Sequence, residues 1–579
     1  MILGVRSSTD HDAARIAESV CQRAPGSLSI TVRNGVAIAS CGSFEDVTSG
    51  DDYAYVGALL GDLPAPNVEL RGDFALISRS GRCLRLARGR FGGRPLFWVR
   101  TAKSVIACSR LLPLVELMGT KARLNWDHVL AKFDVALWAS RDPLPITNAM
   151  RVCTNTVVDI GDSEAAHVHY GPIRFGPELR LSTPDLAARF QHEFQQAVAR
   201  QCDRSGTVAV FAGGGVDSSN LLASAVRSRA GQQGNVLLFA YDFLGNRDRP
   251  HLMAMCRHLN IEAHCIRPAE GTPYFGQDFV VDATAHSSTP GSAVIAAYGL
   301  ARRLGAKVAL LGDGSELLLN ADGSVFAAFM REHPFRAVDC LRRLQTIGET
   351  RRGSVRRLVL GPLVRLTMPR TSRWRRNWHN AHRHLAPWAG PRLRNHLRRC
   401  SRTPASPPLQ SQRERVLRLA SSPVLMALRE HTSRWEVACG ISIALPYLDD
   451  DLVHFLARVP SEAVFAGARE RGLLREAMEG LVPDSVRYRM DKAVPYEAFI
   501  ETFEGAGGPK SVSDLLTMSE LSHGGVVDAS AFRGQFEQFM RNPRAHPHDW
   551  VTLWPAITAE AFLRWFREHR QGADERWPG

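Results

Sequence analysis

The segment Thr207–Asn220, which reads TVAVFAGGGVDSSN, decides the fold of this chain. Its first five residues are an apolar run typical of a buried strand, and the residues after the glycine triplet, through Leu221–Val226, are typical of a helix. Glycines let a backbone approach an anion closely, and a helix N-terminus presents unpaired N–H groups. The segment therefore predicts a phosphate-binding turn, in which Asp217 is tolerated if a Mg²⁺ ion lies beside it.

The sequence on both sides of this turn alternates apolar strands with helices. A helix-like segment, Leu186–Arg200, precedes the turn, and Val236–Tyr241 and Val308–Leu311 are typical of two further buried strands. Strands that alternate with helices predict a doubly wound parallel α/β sheet. We assign this sheet to a domain of residues 183–579, which is mostly helical by pattern from residue 411 onward.

The first 175 residues have a different pattern, in which short apolar runs alternate with Gly, Asp and Ser turns. Regular spacing of this kind predicts antiparallel sheet. We therefore expect an α+β domain over residues 1–175, ahead of the α/β domain. The clearest runs are Ser29–Val32, Val36–Ala39, Phe74–Ile77 and Cys83–Leu86.

Charge is concentrated in one part of the chain. The 579 residues carry a net charge of +14, and residues 351–402 contain 15 arginines without an acidic residue. This excess favours an anionic partner, although a solvated arginine-rich surface gives the same pattern. We assign residues 331–410 to an inserted, arginine-rich helical region. The chain has no apolar run of 18 residues and no signal-peptide pattern, so we expect a cytoplasmic protein that does not enter a membrane.

The glycine turn resembles the SGGxDSS pyrophosphate loop of the N-type ATP pyrophosphatases, and in particular that of the asparagine synthetase superfamily. One difference is that Gly213 stands where the family has its first serine. The resemblance implies that the protein binds ATP and Mg²⁺ and releases AMP and pyrophosphate. The ATP-binding positions it implies are Phe211, Gly213, Gly214, Gly215, Asp217, Ser218, Ser219, Ala240 and Gly312.

A second segment, Leu311–Glu316, resembles the SGEGSDE segment of the same family. Its acidic positions are Asp313, which the resemblance implies is catalytic, and Glu316, which would hold the metal together with Asp217. Both lie after a predicted strand, at the edge where open α/β sheets bind ligands. A helix cap followed by a first-turn acid gives the same pattern and is compatible with metal binding.

Two later segments extend the resemblance to residue 492. Leu445–Asp449 resembles the PFLD segment, but Ser442 and Ala444 replace the Glu and Arg of synthetases that act on aspartate. The run that ends at Lys492 resembles the LLRxA…LP…RxK pattern. By that resemblance, Lys492 stabilises the negative charge that develops during adenylation and amide formation.

Glu430 allows two interpretations. It lies 16 residues before Pro446, the spacing at which β-lactam synthetases of this superfamily carry a catalytic Glu. It is also the kind of residue found on any solvated helix surface. The sequence does not decide between a general base and a surface glutamate.

Residues 71–98 resemble the glutaminase domain of asparagine synthetases, but position 2 is Ile2 and the first cysteine is Cys21. Glutamine hydrolysis in that domain uses an N-terminal cysteine as nucleophile. We therefore expect an inactive glutaminase-like domain and an amine supplied by the substrate itself.

Two branches of the superfamily share this loss, the lasso-peptide cyclases and the β-lactam synthetases. We favour a lasso-peptide cyclase, which joins an Asp or Glu side chain of a precursor peptide to the peptide's own α-amine. The length of this chain and the insertion with Trp374, Trp378 and Trp388 favour this choice, because helices of the insertion could cover a bound peptide. The family implies a leader-binding protein and a leader peptidase as partners. A β-lactam synthetase or another small-molecule amide ligase is the alternative, and an RNA-binding role is disfavoured by the intact set of site residues.

Overall fold

The computed structural model describes most of the chain, and everything below concerns its described residues. These are 1–21, 27–42, 47–59, 70–134, 142–161, 166–169, 173–202, 206–229, 235–243, 245–267, 292–320, 323–344, 355–360, 386–400, 411–420, 422–491, 496–505, 507–545 and 547–571. Lys492 lies outside them, as do Trp374 and Trp378.

The N-terminal region forms two six-stranded antiparallel sheets, as the alternating pattern predicts. The first sheet has the strand order β10-β8-β9-β1-β3-β2, and the second has the order β12-β11-β7-β6-β5-β4. The strands are β1 (Ile2–Ser7), β2 (Ser27–Arg33), β3 (Val36–Gly42), β4 (Val47–Gly50), β5 (Tyr53–Gly57), β6 (Phe74–Ser80), β7 (Cys83–Arg88), β8 (Phe97–Arg100), β9 (Ser104–Cys108), β10 (Ala149–Arg151), β11 (Thr156–Ile160) and β12 (Ala166–His169).

The two sheets pack face to face over a shared core. Ile2 and Ile38 of the first sheet bury against Ile77 and Leu86 of the second. The sheets approach so closely at Gly4 that a Cβ there would lie 2.6 Å from the Cγ2 of Ile77. Glycine at this position lets the sheets come together without a void.

The second domain is built on a five-stranded parallel sheet with the order β15-β14-β13-β16-β17. Its strands are β13 (Thr207–Phe211), β14 (Val236–Tyr241), β15 (Ala263–Ile266), β16 (Ala306–Leu310) and β17 (Ser442–Ala444). The three central strands confirm the sequence prediction. The two edge strands, β15 and β17, were not predicted, because runs of four and three residues carry too little pattern.

Twenty helices complete the described structure. In chain order they are α1 (Asp10–Cys21), α2 (Leu112–Met118), α3 (Trp126–Ala131), α4 (Thr183–Cys202), α5 (Val216–Arg229), α6 (Arg249–Leu259), α7 (Ser292–Arg303), α8 (Ser315–Leu319), α9 (Gly323–Glu332), α10 (Pro334–Arg343), α11 (Pro391–Cys400), α12 (Gln412–Ala420), α13 (Pro423–Cys439), α14 (Asp450–Leu456), α15 (Gly472–Ala477), α16 (Asp484–Arg487), α17 (Tyr496–Gly505), α18 (Ser519–His523), α19 (Ala529–Arg541) and α20 (Pro547–Gln571). None of these described helices is both long enough and apolar enough to cross a membrane.

The last four described helices, α17–α20, belong to the core of the first N-terminal sheet, whereas α12–α16 contribute to the core of the parallel sheet. Trp550 and Phe562 of α20 share one core with Leu3 and Val5 of β1. Trp388 belongs to this same core and is 2% exposed, with its ring 5.4 Å from that of Phe532. The prediction that Trp388 helps to cover a peptide chamber is therefore wrong, because its side chain is buried as packing.

Only parts of the predicted arginine-rich insertion fall among the described residues. Helices α10 and α11 and a π-helical turn over Arg356–Leu360 lie within residues 331–410, so these described parts are helical, as predicted. Directly before these residues, Phe326 and Phe329 of α9 lie with their rings 5.1 and 6.0 Å from that of Phe465 in the second domain. Cys340 of α10, within the insertion, belongs to the same core. This end of the insertion is thus packed on the domain that carries the candidate site.

Three consecutive aspartates at the start of α14 hold this helix in place, the first within its own domain and the other two against the N-terminal domain. Asp449 accepts hydrogen bonds from two N–H groups of that helix and pairs with Arg200. Asp450 accepts the backbone N–H of Gly72, at 2.6 Å, and Asp451 pairs with Arg71. Burial, with Asp449 nearby, raises the pKa of Asp450 to about 6.

Because the pKa of Asp450 is raised, we expect the substitution Asp450→Asn to stabilise the protein at high pH but not at low pH. The folded state holds the proton of Asp450 more tightly than the unfolded state, so the stability it contributes is full below about pH 4 and is lost as the pH rises through about 6. Asparagine stays neutral and can still accept from Gly72. At pH 8 we expect Asp450→Asn to have a free energy of unfolding on the order of 2–3 kcal/mol above that of wild type. Its unfolding temperature should be correspondingly higher at pH 8 and should equal that of wild type near pH 4.

The control is Asp451→Asn, which removes the neighbouring, partly exposed carboxylate. It should give no gain at pH 8. If wild type is more stable at pH 8 than Asp450→Asn, the Asp450 carboxylate is stabilised by its surroundings and the prediction is wrong.

Candidate functional site

The glycine turn lies at the carboxyl end of β13, where α5 begins. Gly214 has a φ of +93°, and a Cβ on it would lie 2.7 Å from the backbone nitrogen of Leu252 in α6. The carbonyl of Gly214 accepts a 2.9 Å hydrogen bond from Arg489. The turn is therefore held in a conformation that only glycine adopts easily, with its N–H groups at the sheet edge.

The other ATP-binding positions implied by the sequence lie at the same edge. Phe211 pairs in register with Phe239, so Ala240 is one residue beyond it on β14. Gly312 follows β16, and a Cβ there would lie 3.4 Å from the backbone nitrogen of Ser218. The structure thus brings the glycine turn and the 311–316 segment into contact.

Tyr447 connects the third sequence motif to the turn. Its hydroxyl donates to the carbonyl of Asp217 at 3.0 Å, and the side-chain amide of Asn220 donates to that hydroxyl at 3.4 Å. Tyr447 is fully buried, with its ring 4.4 Å from that of Phe194. Its position is therefore fixed by packing, and it fixes the turn in its place.

Arg471 joins the two acidic groups that the sequence assigns to the metal. It donates to Oδ2 of Asp217 and contacts Oε1 of Glu316 at 3.3 Å. It has a φ of +59°, uncommon for a non-glycine residue and frequent at functional sites. Burial and the nearby Arg475 lower its pKa to about 10, so it remains a cation at neutral pH.

The residues at the turn fit a phosphate chain with its magnesium ion. Oδ1 of Asp217 and the hydroxyl of Ser219 are both buried, and neither has a hydrogen-bond partner among the described residues. The described residues also contain no group of three or more His, Cys, Asp or Glu that could hold a metal. Mg²⁺ is commonly bound by one or two carboxylates together with substrate phosphates, and Asp217 and Glu316 supply such a pair.

The segment before Lys492 is anchored on this turn. Arg489 donates to the Gly214 carbonyl and pairs with Asp248 at 2.7 Å and with Asp491 at 3.2 Å. Within the same segment, Arg475 and Arg487 donate to each other's backbone carbonyls. The chain therefore reaches Asp491 beside the turn, and Lys492 itself lies outside the described residues.

The two remaining catalytic candidates have different surroundings. Asp313 is exposed in the turn between β16 and α8, near Glu316. Glu430 is 4% exposed, and its carboxylate is gripped by Arg88 at 3.0 Å and by Arg151 at 2.7 and 2.8 Å. The interpretation of Glu430 as a surface residue is therefore wrong. Its role as a general base stays a prediction, although its described contacts are with the N-terminal domain and not with the glycine turn.

Sequence reasoning missed Arg471, Arg489 and the role of Tyr447. Arg471 directly precedes the Gly472-Leu473-Leu474-Arg475 run, so its position in the motif was the available signal. Nothing in its own local pattern indicates that its side chain turns toward Asp217. That contact depends on a left-handed backbone conformation, which a single arginine in a charged stretch does not reveal.

Comparison with known families identifies the chain. The sequence profile described as "Asparagine synthase" matches residues 189–567, from within α4 to within α20. This is more than half of the chain, so the protein belongs to the asparagine synthase family.

Individual relatives are distant. The chain is similar to asparagine synthetase [glutamine-hydrolyzing] 3 of Bacillus subtilis (strain 168), with 26% identity over 153 residues. That match spans 25% of this chain and 23% of the relative. The chain thus matches about a quarter of that protein's length, and the relative's substrates do not transfer with it.

Matches among solved structures are weaker still. Glutamine phosphoribosylpyrophosphate amidotransferase from B. subtilis, complexed with ADP and GMP, covers 55% of this chain and 91% of its own, at 10% identity and a TM-score of 0.19. A structure titled as the allosteric regulatory enzyme of purine biosynthesis covers 48% and 82%, with the same identity and score. Scores this low carry no argument about fold or function.

The strained turn predicts a large effect of Gly214→Ala. A Cβ at this φ would collide with the backbone of α6, so we expect a loss of about 2–4 kcal/mol of stability, seen as a lower unfolding temperature. The matched control is Gly206→Ala, where a Cβ meets nothing within 4 Å. That control should leave the unfolding temperature nearly unchanged, and an equal loss in both variants would contradict the proposed strain.

Proposed function

We propose that the protein is an ATP-dependent amide ligase that activates a carboxylate as an acyl-adenylate, releases pyrophosphate and then forms an amide with release of AMP. The observation that carries this proposal is a pair of buried oxygens at the glycine turn, on Asp217 and Ser219, for which the described part of the chain offers no hydrogen-bond partner. Buried polar atoms normally have partners, and a phosphate chain with its cation would supply them.

Different groups at the turn would bind the phosphates and the metal ion of Mg·ATP. The N–H groups at the start of α5 and the positive end of its dipole favour the phosphates. Asp217 and Glu316 would hold Mg²⁺, which when bound neutralises phosphate charge and polarises the phosphorus–oxygen bonds. Tyr447 keeps the Asp217 backbone in place, while Arg471 supplies a fixed positive charge next to both carboxylates.

The reaction takes two steps. A carboxylate oxygen of the substrate attacks the α-phosphorus of ATP, the bond from the α-phosphorus to the bridging oxygen breaks, and pyrophosphate leaves. An amine then attacks the activated acyl carbon, AMP leaves with the electron pair of the broken carbon–oxygen bond, and the amine gives up a proton. Lys492 would stabilise the negative charge that develops in both steps.

The residue at the start of β1 supports an amine that comes from the substrate. Ile2 is fully buried and pairs with Ser40 in β3, so this sheet has an aliphatic side chain where glutaminases of the family have a thiol. An aliphatic side chain cannot act as the nucleophile that glutamine hydrolysis uses. An intramolecular amine fits the remaining machinery.

A peptide is our preferred substrate. The product would be a lasso-type macrolactam, in which an Asp or Glu side chain is joined to the peptide's own α-amine. Binding must bring these two groups together, and the entropy cost of that arrangement is met by the contacts of the peptide with the enzyme. A leader peptidase that exposes the α-amine and a leader-binding protein are the partners we propose, as for lasso-peptide cyclases.

Pyrophosphate release tests this function directly. The purified protein would receive Mg·ATP alone, with aspartate and glutamine, or with a leader-free candidate peptide, and products would be weighed by mass spectrometry. We expect release that depends on the peptide and a product lighter by one water. An N-acetylated peptide should release pyrophosphate without cyclising. Release that depends only on small amino acids would replace the peptide by a small-molecule substrate.

Asp217→Asn should remove ATP-dependent activity. Without a charged ligand for Mg²⁺, we expect pyrophosphate release to fall by roughly 10²-fold or more, since transition-state charge loses its counter-ion. Asp339→Asn is the matched control, because Asp339 is exposed and pairs only with Arg343 among described contacts. Equal activity in both variants would remove Asp217 from the metal site.

Lys492→Met should lower kcat with little change in the KM for ATP, because the charge it stabilises develops only in the transition state. Lys492→Arg should retain part of the rate. Lys103→Met, at an exposed turn, is the control. A change confined to KM would assign Lys492 to ground-state binding.

A further inference from the structure

One carboxylate in α13 collects contacts from both domains. Oε1 of Glu436 accepts the backbone N–H of Ile443 in β17 at 2.6 Å and a guanidinium N–H of Arg429 at 3.2 Å. Arg94 of the N-terminal domain donates to the same oxygen, and it also donates to the hydroxyl of Ser442 at 3.0 Å. The edge strand β17 is therefore held by a side chain from the other domain.

Strand β17 in turn leads to two parts of the candidate site. The carbonyl of Ala444 accepts the N–H of Leu311 at 3.1 Å, directly before the turn that carries Asp313 and leads to Glu316 in α8. Three residues after Ala444 comes Tyr447, whose hydroxyl holds the carbonyl of Asp217. A shift of β17 would therefore displace both carboxylates proposed to bind the metal.

Arg94 is itself held in place. It lies 3.3 Å from Asp73, which also accepts from Arg429 at 3.1 Å. Although burial opposes its ionisation, Arg429 and Arg94 hold the pKa of Asp73 below the ordinary value. Removing one member of such a buried network leaves the remaining charges unpaired, which is costly.

Close packing runs alongside this ionic path. Leu448 lies between the two domains, 3.1 Å from where a Cβ on Gly92 would be and 2.7 Å from where one on Gly314 would be. The Gly92 side belongs to the N-terminal domain, and Gly314 belongs to the acidic turn. The N-terminal domain thus touches the site's framework at two adjoining places.

We propose that Arg94 is a positioning residue for the ATP site, acting through Glu436, β17 and Tyr447 on the backbone of Asp217. This rests on the proposed function, since it assumes that ATP binds at the glycine turn. The N-terminal domain, whose glutaminase chemistry is not expected, is then retained because it sets the geometry of the adenylating site.

The test measures binding of Mg²⁺ with α,β-methylene-ATP, which cannot be cleaved at the α-phosphate, to the full chain by calorimetry. We expect Arg94→Met to raise the Kd tenfold or more and Arg94→Lys to recover part of it. Glu436→Gln, which keeps an acceptor for Ile443 but loses the charge, should have an intermediate effect. Tyr447→Phe should weaken binding by itself.

The double variant Arg94→Met with Tyr447→Phe identifies the path. If the two substitutions act through one path, the Kd of the double variant should be little higher than that of the single variant that binds the nucleotide less tightly. Arg85→Met is the matched control: Arg85 makes a two-point pair with Asp159 within one sheet, at 2.7 and 2.8 Å. The Kd of Arg85→Met should stay within twofold of wild type. In the double variant Arg85→Met with Tyr447→Phe, the fold-change in Kd should equal the product of the two single fold-changes.

Unfolding temperatures of all variants accompany the titrations. A folded Arg94→Met that binds the nucleotide as tightly as wild type overturns the positioning role and leaves the proposed function standing. The same holds if the fold-changes in Kd of Arg94→Met and Tyr447→Phe simply multiply in the double variant. If Arg94→Met does not fold, Arg94→Lys and Glu436→Gln decide by the same Kd. A wild-type protein that binds no nucleotide overturns the proposed function and the positioning role together.

Discussion

The site depends on a carboxylate that lies where an anion is expected to bind. Asp217 stands in the first turn of α5, among N–H groups that attract phosphate, and negative charges there repel each other unless a cation lies between them. The contacts of Arg471 with both Asp217 and Glu316 show that this position favours a cation. The surrounding structure keeps the carboxylates and the N–H groups together: Tyr447 through the Asp217 carbonyl, Arg489 through that of Gly214, and β17 through Leu311.

Much of this was readable in the sequence because local signals agreed with each other. The apolar run of β13, the glycine triplet and the helix after it each predict the same local structure, and the acidic turn after β16 has an equivalent pattern. The N-terminal runs likewise gave β2, β3, β6 and β7 within a few residues. Local propensity and the final fold are consistent at these positions, as expected where a turn conformation is demanded by a ligand site.

The remaining features depend on contacts between residues that are distant along the chain. Glu430 has the spacing of a catalytic residue, yet Arg88 and Arg151, which lie about three hundred residues earlier, hold it in the domain interface. Trp388 lies in the arginine-rich insertion that we predicted to cover a bound peptide, but its side chain is part of a core. Arg471 reaches Asp217 only through its backbone conformation. No window of sequence contains both members of these pairs, so pattern alone could not assign them.

The placement of α20 on the first N-terminal sheet has a consequence for how the chain acquires its fold. The core around Leu3 and Val5 includes Trp550, Trp554 and Phe562, which come more than five hundred residues later. Such distant contacts have a high loop-closure cost and form late. During synthesis the first sheet therefore stays partly uncovered until α20 has left the ribosome, and a cut between residues 175 and 183 would not yield two independent folding units.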